Sequence, residues 1–220
     1  ASGNTAIPIL QLTIKGWSSI LKGGDSKSIT LLAIKDSAKL ELWVNSDAGN
    51  TFIREYPIQA LSGVTGPKLK EGDYQVPEGI YDIEYLNPNS SYHLSMKLNY
   101  PNAFDLKHAK AEGRSEPGTN IFIHGKAVSI GCLAMGDEVA EELFILATDI
   151  GYHNIQVAIA PTDPRTQELT AIKEISWSQK LYSNIDSELK YSVNVLNIKK
   201  IFTLSWLRHT GKTKLVYALL

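Results

Sequence analysis

The 220-residue chain holds one cysteine, so no disulfide can close within it. It contains no Cys-x-x-Cys pair and no His-Glu-x-x-His motif. His93, His108, His153 and His209 are scattered without metal-ligand spacing, so no metal or cofactor is expected. Neither sign of charge dominates: 22 basic residues face 23 acidic ones, for a net charge of -1. A nucleic-acid binder would show a basic excess, so no nucleic-acid partner is expected. No apolar run reaches the roughly 18 residues that cross a bilayer, and a soluble chain is expected. No basic-then-apolar leader opens the chain. The small polar start Ala1-Ser2-Gly3-Asn4 suits a protein trimmed after a signal peptide and a cytosolic protein equally.

What is present is ordinary globular material, 43% hydrophobic and 20% charged, enough for one large core and a small appendage. Residues 1–27 read as a leading segment: one apolar patch from Ile7 to Trp17, then the flexible Lys22-Gly23-Gly24-Asp25-Ser26. From Ser28 the pattern turns strand-like. Ile29–Ile34, Lys39–Val44, Phe52–Ile58, Ile80–Tyr85, Tyr92–Leu98, Asn120–Ile123 and Ile155–Ile159 predict short strands between Gly- and Pro-bearing loops. The interval Pro101–Gly118 reads as a long irregular loop, a candidate lid. One helix is predicted from Asp137 to Ile150, with Val139, Leu143, Leu146, Ala147 and Ile150 on one face, Asp137 as N-cap and Gly151 just beyond the end. Beyond Arg165 the character changes. Ile175–Leu189 predicts a helix and Lys214–Leu220 a last strand or apolar tail. The expected fold is mainly β (α+β), with the catalytic unit over 28–165 and an extension over 166–220.

The stretch Ile121-Phe122-Ile123-His124-Gly125-Lys126-Ala127-Val128-Ser129-Ile130-Gly131-Cys132 draws attention. A cysteine nucleophile needs a base, donors for an oxyanion and a group that orients the base. His124 ends a predicted strand, and Cys132 sits just before the predicted helix, whose N-terminus would lower a thiol pKa and offer N–H donors. Gly131 would let an acyl group approach the backbone. The Gly125 carbonyl could fix the imidazole tautomer. Against this, a lone cysteine is commonly a small buried hydrophobe, and a strand-end histidine is commonly structural.

The order His124-Gly125, then Ser129-Ile130-Gly131-Cys132 and Met135, resembles the active-site signature of L,D-transpeptidases with a YkuD-type catalytic domain. Leu40-Glu41-Leu42-Trp43, Gly66-Pro67-Lys68, Gln75-Val76-Pro77-Glu78-Gly79, Leu98-Asn99-Tyr100-Pro101-Asn102 and Ala160-Pro161-Thr162-Asp163-Pro164-Arg165 are similar to the YafK-like branch. The resemblance covers roughly residues 28–165 and implies a β-sandwich or barrel with one helix after the cysteine. It implies Cys132 as nucleophile, His124 as general acid/base and Gly125 as orienting carbonyl. Gly131 and Cys132 would frame the oxyanion site, with Ser129 in support. The implied partners are peptidoglycan stem peptides, with a peptidoglycan-attached protein as a further one, in a periplasmic or extracytoplasmic setting.

Two positions depart from many members: Ile130 stands where histidine is frequent, and Ala134 where arginine is. An arginine is a natural anchor for a stem-peptide carboxylate. Lys97, Arg114 and Lys126 are the candidate substitutes, and Tyr92 a candidate groove residue. Three outcomes follow: a transferase that passes the acyl group to an amine, an L,D-amidase or carboxypeptidase that passes it to water, or a non-catalytic peptidoglycan-binding module.

Overall fold

The computed structural model describes residues 28–46 and 49–189; the expected leading segment and the Lys214–Leu220 tail lie outside them. Among the described residues eight strands are formed: β1 (Ser28–Ile34), β2 (Lys39–Asn45), β3 (Thr51–Pro57), β4 (Gly79–Ser90), β5 (His93–Leu98), β6 (Phe122–His124), β7 (Leu133–Ala134) and β8 (Ile155–Ala160). They make one mixed sheet in the order β3-β2-β1-β8-β4-β5-β6-β7. The chain beyond β3 then bridges back to the far edge, where Ala60 pairs with Ala134 of β7. This single bridge links the segment after β3 to the far edge, while β3 itself pairs only with β2.

Burial explains why β1 reads as a nearly unbroken apolar run. It lies between β2, antiparallel, and β8, parallel. Ile29, Leu31 and Ala33 point into the main core with Leu143, Leu146 and Ala147 of the helix α2 (Asp137–Ile150), while Leu32 and Ile34 face the opposite side. A strand covered on both faces has no polar face to show. The opposite side is covered by Leu169, Trp177 and a helix, α3, over 178–189, whose Leu181, Ile185 and Leu189 recur at four-residue spacing.

A buried polar knot ties this layer to the sheet. Lys35 Nζ donates to Glu78 Oε1 at 3.0 Å and to the carbonyls of Gly66 and Val76, and Tyr182 of α3 donates to Glu78 Oε2 at 2.8 Å. On the other face, Glu142 of α2 accepts from Tyr56 and Arg54 of β3.

The interval expected to be an irregular lid instead contains a helix, α1 (Ala103–Ala111). Asn102 caps it, accepting from the N–H groups of Phe104 and Asp105, while Asp105 accepts from the Asn102 N–H. Phe104 and His108 of α1 pack on Trp177, so α1 leans toward the C-terminal layer. No residue of α1 lines the cleft around Cys132; only the following stretch near Asn120 reaches it.

Candidate active site

His124 closes β6, pairing with Ser95 of β5 on one side and Ala134 of β7 on the other. The connector from β6 to β7 leaves at Gly125 and returns at Cys132. It is zipped at its base: Met135 N–H donates to the His124 carbonyl, Gly136 N–H to the Lys126 carbonyl, and Lys126 N–H to Asp137 Oδ1. Two glycines are required here. A Cβ at Gly125 would stand 2.7 Å from Asp137 Oδ1 and 2.8 Å from the Tyr92 carbonyl. Gly131 has φ 124°, a region L side chains rarely adopt.

The connector arches over a cleft of about 500 Å³ that is lined in part by Cys132, His124, Tyr92, Ser95, Asn120 and Phe122. His124 is buried, and its Nδ1 lies 2.5 Å from the Gly125 carbonyl oxygen. A carbonyl only accepts, so Nδ1 carries the hydrogen and Nε2 is left with its lone pair. The Tyr92 ring lies against the imidazole, centroids 4.8 Å apart. Burial lowers the His124 pKa, partly opposed by the Gly125 carbonyl.

Cys132 departs from the expected electrostatics. β7 and Met135-Gly136 separate it from α2, whose N-cap is Gly136 rather than Asp137 and whose first turn carries Asp137 and Glu138. The helix therefore begins beyond an intervening strand rather than at the cysteine itself. Burial pushes the Cys132 thiol up, with the Phe122 N–H and the Lys68 charge opposing. Burial therefore acts on both groups in the same sense, toward the uncharged thiol and the uncharged imidazole.

The expected oxyanion donors are also differently engaged. The N–H groups of Gly131 and Cys132 both donate to Ser129 Oγ, at 3.3 and 3.1 Å. Ser129 in turn donates to the Cys132 carbonyl at 2.7 Å and lies 3.2 Å from the Ser62 hydroxyl. Ser129 thus holds the cysteine turn.

Among the anchor candidates, Lys97 pairs with Glu84, and Arg114 with Glu112 and the Leu69 carbonyl; neither lines the cleft. Lys126 reaches the Ser91 carbonyl and covers the Tyr92 ring at 5.7 Å, beside the cleft rather than in it. Tyr92 is at the cleft. Among the described residues lining it there is no lysine or arginine. Val128 and Ile130, 57% and 71% exposed, form an apolar rim. The sequence reading missed Ser62, Ser95, Asn120 and Phe122; of these only Phe122, two residues before His124 and so on the same strand face, had a usable signal. No cluster of His, Cys, Asp or Glu among the described residues could hold a metal, and no helix among them is long and apolar enough to cross a membrane.

A mixed sheet with a Cys–His cleft at the connector from β6 to β7 defines a class, and comparison with known proteins names it. The L,D-transpeptidase catalytic domain model, YkuD, matches residues 34–183, and the chain belongs to that family. It is 34% identical over 132 residues to "Putative L,D-transpeptidase YafK" of Escherichia coli strain K12, covering 58% of this chain and 51% of that protein. The chain therefore spans about half the length of the curated relatives it matches. Among solved structures, the helical cell shape determining protein Pgp2 of Campylobacter jejuni shares the fold. Its K307A form superposes with a TM-score of 0.52 at 20% identity, over 83% of this chain and 65% of that one. The unsubstituted protein gives 0.51 at 16% identity, over 82% and 77%.

Proposed function

We propose that this chain is a cysteine acyl-transfer enzyme acting on peptidoglycan stem peptides in an extracytoplasmic compartment. Its catalytic unit would span 28–165, with the segment from 166 packed on one face as an extension. The observation that carries the reading is one cleft shared by Cys132 and His124, with His124 Nδ1 held by the Gly125 carbonyl. That hydrogen bond leaves Nε2 as the base.

In the reaction, His124 takes the Cys132 proton as the sulfur attacks a stem-peptide carbonyl. The C–N bond of the tetrahedral adduct then breaks, and the proton passes from His124 to the leaving amine. A thioester remains on Cys132. An acceptor amine or a water, deprotonated by His124, attacks it and releases the thiol.

One observation favours a scissile bond inside a longer chain, as in a link between peptidoglycan peptide and protein, whichever acceptor then takes the acyl group. A terminal carboxylate beside the scissile bond needs a cation, and no lysine or arginine is among the described residues lining the cleft. Product analysis by mass spectrometry tests both readings. Wild-type protein and Cys132→Ala are incubated with tetrapeptide, crosslinked and protein-linked muropeptides. Cysteine-dependent crosslinks or exchanged D-amino acids identify a transferase; shortened stems or freed protein identify a hydrolase. Unchanged substrates throughout would leave only a binding module.

A further inference from the structure

A tetrahedral adduct at Cys132 places a negative oxygen within about 3 Å of its donors. The two amides expected there, Gly131 and Cys132, are turned onto Ser129 Oγ. The sulfur rests instead on the opposite wall, the segment 120–122. Cys132 Sγ is 3.7 Å from the Asn120 carbonyl oxygen, and the Phe122 N–H faces the sulfur.

Asn120 is unusual in three ways. Its φ is 55°, the left-handed region that asparagine tolerates better than most side chains. It is exposed and lines the cleft together with Cys132 and His124. Its side-chain amide has no hydrogen-bond partner among the described residues. An unpartnered side chain on the residue whose carbonyl touches the sulfur, in a cleft where the Gly131 and Cys132 N–H groups are occupied, is the donor available to an acyl oxygen.

We infer that Asn120 is a catalytic residue whose side-chain N–H donates to the acyl carbonyl oxygen of the substrate as Cys132 attacks. The Sγ–C bond forms, the carbonyl π pair moves onto oxygen, and the amide hydrogen stays on Asn120 while stabilising that charge. This rests on the acyl-thioester reading but not on the identity of the acyl donor.

The test compares two reactions of the same thiol. Acylation by p-nitrophenyl acetate passes through an oxyanion; alkylation by iodoacetamide does not. Asn120→Gly keeps the left-handed backbone and removes only the amide. It should slow acylation roughly 100-fold, the usual effect of losing one oxyanion donor, and leave alkylation unchanged. Asn120→Asp, of the same shape but without N–H donors, should not restore acylation. Wild-type acylation rates in either variant, equal loss of both reactions in Asn120→Gly, or a wild-type thiol that is alkylated but never acylated would each overturn the inference. The peptidoglycan reading is judged separately, by the muropeptide products.

Discussion

Ser129 and Cys132 are bound to each other at both ends of the cysteine: the Cys132 N–H donates to Ser129 Oγ at 3.1 Å, and Ser129 donates to the Cys132 carbonyl at 2.7 Å. The hydroxyl fixes the backbone that carries the sulfur. Ser129→Ala removes both bonds and should lower acylation and alkylation of Cys132 together, by about 10-fold for some 1.4 kcal/mol of lost positioning. Ser129→Thr retains a hydroxyl and should recover most of the rate. Paired rate measurements separate this from Asn120→Gly, which is expected to affect acylation alone.

The thiol and imidazole are both held toward their neutral forms by burial. A thiolate–imidazolium pair would alkylate at a constant rate from weakly acid to neutral pH. Here the iodoacetamide rate should keep rising with pH into the range above the ordinary thiol pKa, without a plateau near neutrality. A pH profile of Cys132 alkylation, followed by intact mass, checks this.

Glu78 is buried and meets Lys35, the Gly66 N–H and Tyr182. Glu78→Ala strands the Lys35 cation and should cost roughly 3–5 kcal/mol. Tyr182→Phe removes one hydrogen bond to a carboxylate and should cost about 1.5–3 kcal/mol. Urea denaturation of both variants gives the two values. Equal stability of Tyr182→Phe and wild type would show that α3 is held by apolar contact alone.

Asp105 is buried, and its pKa is raised from 3.8 to about 6, chiefly by loss of solvation. Its folded pKa lies above its unfolded one, so the folded state is favoured by the protonated form. Stability from this group is greatest at low pH and falls as pH rises from about 4 to about 6. Asp105→Asn keeps an acceptor for the Asn102 N–H and does not titrate. Its stability relative to wild type should rise by on the order of 2–3 kcal/mol across that window. Thermal unfolding in a pH series measures it.

Much of the fold was legible because strand burial shows in the sequence, as unbroken apolar runs in β1 and β8 and as alternation in β2. β1, β2, β5 and β8 fall within a residue or so of their apolar runs, and α2 shows its buried face at helical spacing. α1 escaped because only Asp105 and Ala109 are buried along it, so it has no apolar stripe to read. Its capping box, Asn102 with Asp105, was a usable signal. β7 is two residues long, below any periodicity, so the sequence pattern does not show it. In the site, Cys132, His124 and Gly125 were readable from local order. Ser62 and Asn120 were not: each reaches the cysteine turn through tertiary contact, across 67 and 12 positions of chain.

A thioester on Cys132 can be trapped directly. Protein–linked and crosslinked muropeptides are mixed with the wild-type chain and with His124→Ala, quenched in acid, and analysed by intact mass and peptide mapping. The wild-type chain should gain mass equal to an acylated stem, mapped to Cys132 and discharged by hydroxylamine, and His124→Ala should show no such species. Turnover of these substrates with no adduct in wild type, or turnover that persists in Cys132→Ala, would contradict it.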